Sequence, residues 1–87
     1  MITDSETDVA WSLYPNPAKE KITVTLGTIS VTGMDLMIID AVGHVLVRDN
    51  VFTTRTVDIT QLNAGVYVLQ LTGANGIASQ KLFVKTD

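Results

Sequence analysis

The stretch from Asp58 to Thr72, DITQLNAGVYVLQLT, passes from a turn into the most strand-like run of the chain. From Gly65 onward, Tyr67, Leu69 and Leu71 fall on one side and Val66, Val68, Gln70 and Thr72 on the other, the period-2 alternation of a β-strand. The first face is wholly apolar, and β-branched and aromatic residues dominate the run. Asn63-Ala64-Gly65 ahead of it carries turn chemistry, since Gly and Asn tolerate positive φ. A central strand entered through a corner is the reading, with Leu62 plugging the core at that corner.

The same alternation recurs at even spacing on both sides of this stretch. Val9, Trp11 and Leu13 alternate with Ala10, Ser12 and Tyr14 in a short strand that Pro15 stops. Tyr14-Pro15-Asn16-Pro17 then forms a stiff corner, because two prolines fix φ and bias the residues before them toward extended backbone. Ile22, Val24 and Leu26 alternate with Thr23 and Thr25 in a second strand closed by Gly27. Met34, Leu36 and Ile38 define the inner face of a third, whose second face is nearly as apolar. Asp40-Ala41-Val42-Gly43 reads as a four-residue turn into an antiparallel partner from His44 to Asp49. A fifth strand, Thr54 to Asp58, points Val57 and Ile59 inward. A final hairpin turns at Ala74-Asn75-Gly76, where Asn-Gly favours a type I′ turn, and returns as Ile77 to Lys85. In that last strand Lys81, Phe83 and Lys85 share one face and Leu82 and Val84 the other. The expectation is that the aliphatic pair anchors the core and the lysine-bearing face meets solvent. About seven strands and no helix predict an all-β domain, an immunoglobulin-like β-sandwich of two antiparallel sheets.

Composition agrees with one small globular module. The chain has 87 residues, 46% hydrophobic and 17% charged, too apolar for a disordered tail and without the run of about 20 apolar residues that spans a membrane as a helix. Six Lys plus Arg against nine Asp plus Glu give a net charge of −3 and no basic patch, which argues against nucleic acid. Ile2 to Asp8, ITDSETD, holds three acids, three hydroxyl residues and one apolar group, too little to offset its ordering entropy. The expected organisation is therefore a flexible linker over residues 1–8 and a β-sandwich over 9–87. No signal-peptide pattern occupies the N-terminus, so an exported protein of this kind is expected to carry its signal elsewhere in a longer precursor.

The chain carries little chemistry. Without cysteine there is no thiol nucleophile, disulfide or thiolate zinc site. His44 is the only histidine and sits beside Gly43 in a turn, without a second imidazole, which fits an exposed turn residue better than a ligand. Asp35, Asp40, Asp49 and Asp58 lack the alternation of a calcium loop and read as caps and solvated strand ends. No catalytic residue, metal or cofactor is expected, and the chain is not read as an enzyme. Trp11 and Tyr14 could build a sugar-binding platform, but packing is the simpler use of so few aromatics. Lys81 and Lys85 stand between edge protection and a recognition face.

Four elements together resemble the C-terminal sorting domains of the type IX secretion system of Bacteroidota. They are Tyr14-Pro15-Asn16-Pro17-Ala18; Asp40-x-x-Gly43; Asp58-x-x-x-Leu62-x-x-Gly65-Val66-Tyr67; and Lys81-Leu82-Phe83-Val84-Lys85. They occur in the family's order and span nearly the whole globular part. His44 stands where the family often has a lysine or arginine. The resemblance implies a transport address for an N-terminal cargo domain in the same precursor, which passes through the periplasm and ends on the cell surface or in the medium. The partners it implies are the type IX translocon, a β-barrel shuttle protein and a sortase-like cysteine peptidase that removes the domain just before its fold. Residues 1–8, or residues upstream, would hold that cleavage site. The alternative without the resemblance is a structural or adhesive accessory module, or a carbohydrate-binding one.

Overall fold

The computed structural model describes residues 11–27, 32–74, 76 and 78–87. Seven strands appear among them: β1 (Trp11–Tyr14), β2 (Lys21–Leu26), β3 (Met34–Ile39), β4 (Val45–Val51), β5 (Thr54–Asp58), β6 (Gly65–Thr72) and β7 (Ala78–Lys85). They form a three-stranded sheet in the order β1-β2-β5 and a four-stranded sheet in the order β4-β3-β6-β7, with every neighbouring pair antiparallel. The chain changes sheet after β2, β4 and β5, so each sheet is stitched from distant segments and one core lies between them.

That core follows from the alternation. Ile22, Val24 and Leu26 of β2 face Met34, Leu36 and Ile38 of β3 and Tyr67, Leu69 and Leu71 of β6, all buried, while Leu13, Val47 and Leu62 pack partly against them. Val57 and Ile59 are buried as well, and Leu62 lies half-buried at the corner, as its position before the central strand implies. Removing such side chains from water contributes about 1.5–3 kcal/mol each. The fourth strand runs two residues past Asp49 because Val51 pairs with Met34 and anchors its end in the core. A bulge between Ile38 and Ile39 shifts that ladder so that Ile39 pairs with Val45 and Leu46 is left out of register.

The last strand has its faces the other way round from the sequence expectation. Phe83 is fully buried and Lys85 is only 6% exposed, whereas Leu82 is 63% and Val84 39% exposed. Alternation separates two faces without saying which is inner; the partner strand decides. β7 pairs with β6 so that Phe83 lies opposite the inward Tyr67, their rings stacked with centroids 5.6 Å apart and planes at 27°. One large ring fills the core there, and Leu82 and Val84 oppose the outward Val68 and Val66. The two lysines are accommodated differently: Lys81 is exposed, whereas Lys85 stays buried and its ammonium is met by a backbone carbonyl. Lys81 sets its ammonium 5.1 Å from the centre of the Trp11 ring, and the buried stem of Lys85 ends with Nζ donating to the Thr86 carbonyl at 2.8 Å.

Three expectations fall partly or wholly outside the described residues: the linker over 1–8, the start of the first strand at Val9 and Ala10, and the type I′ assignment at Asn75 with the return from Ile77. The final turn is closed by the Gly76 N–H donating to the Gly73 carbonyl at 3.0 Å.

Candidate functional site

The Tyr14–Pro17 corner runs to the edge of β7. Pro17 has no N–H to offer, and the peptide bonds before Pro15 and Pro17 are both cis. Asn16 supplies what the proline lacks, because its side-chain amide carries one donor group and one acceptor like a peptide. Its Nδ2 donates to the Leu82 carbonyl at 3.3 Å, and its Oδ1 accepts from the Val84 N–H at 3.0 Å. The backbone continues the pairing: Ala18 N–H donates to Val84 O and Thr86 N–H to Ala18 O, both at 2.8 Å, a parallel bridge beside Lys85. Ala18, 1% exposed, fits under this clasp. The C-terminal half of the β7 edge is thereby closed, which removes a template for edge-to-edge association.

The second element is the β3–β4 turn. Gly43 N–H donates to the Asp40 carbonyl at 3.1 Å, and Gly43 takes φ 94°, a region that side-chain-bearing residues rarely adopt. The Asp40 carboxylate accepts from the N–H groups of His44 at 2.8 Å and Val42 at 3.0 Å. These bonds, with that from His44 largest and its imidazole 3.3 Å away adding to them, hold the carboxyl below its usual range. His44 is otherwise an open turn residue, its side chain 75% exposed.

The corner before β6 is built on the same principle. Asp58 Oδ1 accepts from the N–H of Thr60 at 2.8 Å and from its hydroxyl at 2.7 Å, which with the nearby Lys21 charge lowers that carboxyl too. Leu62 N–H donates to Ile59 O at 3.0 Å, Gly65 opens the strand with φ 158°, and Tyr67 reaches back to donate its hydroxyl to the Asn63 carbonyl. This last bond, from a core tyrosine to backbone four residues upstream, ties the corner to the strand that follows it.

The four elements meet at one end of the sandwich. Asn16 and Ala18 lie against Leu82–Thr86, the stacked Tyr67–Phe83 pair joins β6 to β7, and Asp40–Val42 share a shallow hollow with Gly65–Tyr67. Lys81 stands apart, over Trp11 near the middle of its strand. Trp11 and Tyr14 do not form a platform: Trp11 is 8% exposed with Nε1 donating to Ser79 Oγ at 3.0 Å, while Tyr14 points out and shares a hydrogen bond with the Thr25 hydroxyl. Sequence reasoning missed Leu82 and Val84 as surface residues. Their signal was the neighbouring Phe83, the bulkiest side chain of the strand.

Over residues 12–85 the chain matches the family described as the secretion system C-terminal sorting domain. It belongs to that family. No curated protein and no solved structure matched the chain. The domain is thus a C-terminal sorting signal of type IX secretion, a family not known for enzymatic activity. It acts with the type IX machinery on a cargo in the same precursor, and its destination is the cell surface or the medium.

Proposed function

We infer that the folded domain, not a short linear motif, is what the export machinery reads, with a translocon and a β-barrel shuttle protein as its partners during passage through the periplasm. The observation that carries this is the gathering of all four family elements at one end of the sandwich, where the Tyr14–Pro17 corner and the terminal strand hydrogen-bond to each other across 68 positions of sequence. The two halves are brought together only by the fold. The division into a processing linker over residues 1–8 and a sorting domain over 9–87 belongs to the same reading. A sortase-like cysteine peptidase would cut in or before that acidic, hydroxyl-rich stretch, whose composition suits an extended chain in a protease cleft. Cargo release or attachment to the cell surface would follow.

The test is a fluorescent reporter with its own periplasmic signal fused ahead of residues 1–87 in a host with a type IX system. The expected outcome is reporter at the surface or in the medium, shortened by about the mass of the domain, with the junction mapped by mass spectrometry. Reporter held in the periplasm with the domain attached, while a resident cargo exports normally, would overturn the reading. Export with the domain retained would reject the peptidase and leave an accessory role at the surface.

A further inference from the structure

The outer face of the four-stranded sheet changes character along its length. Antiparallel register sets Val45, Ile39, Val68 and Leu82 in one row across β4, β3, β6 and β7, and sets Val66 beside Val84 in the next row toward the Gly65 end. Directly opposed side chains on a sheet face stand about 5 Å apart, so these six form one continuous aliphatic surface. Leu82 is 63% exposed, Val66 54%, and Val84 and Val45 39% each. In the row on the other side, Arg48, Gln70 and Gln80 accompany Met37, and the face turns polar.

We propose that this aliphatic face is where the sorting domain docks on a protein component of the export machinery, one that offers an uncharged apolar surface. The inference rests on the sorting reading and adds the surface and the chemistry of its partner. Three observations select that occupant. Area comes first: the patch is on the order of a few hundred Å², comparable to a functional patch on a monomer and well short of the roughly 800 Å² per partner of a stable complex. It suits a transient protein contact and is too small for a lasting dimer of this chain. Charge comes second. Arg48 is the only cation on this face among the described residues of the four strands, it lies outside the patch with Nη1 on the Met37 sulfur, and the chain's net charge is −3. Anionic lipid has nothing to attract it there. The third is the closed edge: Asn16 and Ala18 occupy the β7 edge beside Leu82 and Val84, so a partner at this end meets the face and not an open strand. Val66 and Val84 also border the hollow and the clasp where the family elements gather.

The experiment uses the reporter fusion in a type IX host with a patch variant and a polar-row control. One carries Val66→Thr, Leu82→Gln and Val84→Thr, which replace outward aliphatic groups and leave the core side chains untouched; the control carries Gln70→Ala and Gln80→Ala in the polar row. Thermal melts of the purified 87-residue chains establish that both fold, and Leu82→Gln alone replaces the triple variant if it does not. The expected result is an exported signal reduced about tenfold or more for the patch variant, the scale of losing one or two interface anchors, with the control at the parent level. Parent-level export by a folded patch variant overturns the proposal. Sedimentation of the parent as a dimer that the patch variant abolishes, or its flotation with vesicles containing anionic phospholipid, also overturns it by naming a different occupant. If the parent fusion itself is not exported, the sorting reading fails first and this inference falls with it.

Discussion

Phe83 and Leu82 are neighbours in β7, and the structure assigns them opposite burdens. Phe83 is fully buried and stacks on Tyr67 at 5.6 Å, whereas Leu82 is 63% exposed. Phe83→Ala removes a buried ring and leaves a cavity between the two sheets, at a cost of about 3–5 kcal/mol. Domains are stable by about 5–15 kcal/mol, and one this small sits toward the lower end, so the substitution removes most of the margin. Leu82→Ala takes away a side chain that already faces water and should cost within about 0.5 kcal/mol. With a urea slope of about 1–2 kcal/mol per molar for a chain of this length, the Phe83→Ala midpoint should fall by about 2 M or more, while that of Leu82→Ala moves by a few tenths. Trp11 is a suitable reporter, being buried and bonded to Ser79 of the opposite sheet. Urea titrations followed by its fluorescence give both numbers in one assay. A Leu82→Ala chain as destabilised as Phe83→Ala would mean that the aliphatic pair holds the core and that the inward assignment of Phe83 is mistaken.

Two further outcomes follow from the clasp and the turn. Asn16→Ala deletes two hydrogen bonds of about 0.5–1.5 kcal/mol each and should speed amide hydrogen exchange at Val84 ahead of the β7 interior; unchanged protection there would mean that the corner does not hold the edge. Asp40 has a folded pKa below its unfolded value, because the His44 and Val42 N–H groups donate to the carboxylate. Its contribution is therefore present in full above the ordinary carboxylate value near 4 and is lost as pH falls through the depressed one. Asp40→Asn should flatten the acid side of stability measured from about pH 6 to 2, and parallel curves for parent and variant would contradict this origin.

How much of this was legible in the sequence depends on what fixed each feature. Local alternation was enough for the strands, since residues two apart share a face whatever they pack against; Ile22-Val24-Leu26 and Tyr67-Leu69-Leu71 needed no partner to be read. Turn chemistry was equally local, as Asp40 and Gly43 close their own loop. The orientation of β7 was not local. KLFVK has aliphatic residues on one face and a ring between two lysines on the other, and polarity alone favours burying the aliphatic pair. What reverses this is register with β6, which sets Phe83 opposite Tyr67, together with the length of the lysine stems, which lets the Lys81 ammonium reach the Trp11 ring at the surface and that of Lys85 reach the Thr86 carbonyl. The role of Asn16 was hidden for a related reason: its two partners lie 66 and 68 residues away, and nothing near it in sequence reveals an edge in need of a donor and an acceptor.

That distribution governs how the residues that carry the family resemblance can be interrogated. Asn16 pairs with the β7 edge, Gly43 takes a backbone conformation few residues share, Tyr67 stacks on Phe83 and bonds to Asn63, and Lys85 buries its stem. Each maintains the fold at the end where the elements meet, so replacing any of them lowers stability and export together, whether or not the machinery touches that side chain. Loss of export on mutating the motif therefore carries no information about contact. The discriminating positions lie between the motif residues and face outward: Val66 inside Gly-Val-Tyr, and Leu82 and Val84 inside Lys-Leu-Phe-Val-Lys. There a substitution alters the surface without removing a core side chain. Separating stability from export at those three positions, with Lys81 as a fourth that sits over Trp11 outside the patch, is what divides a signal read as a shape from one read as a string of residues.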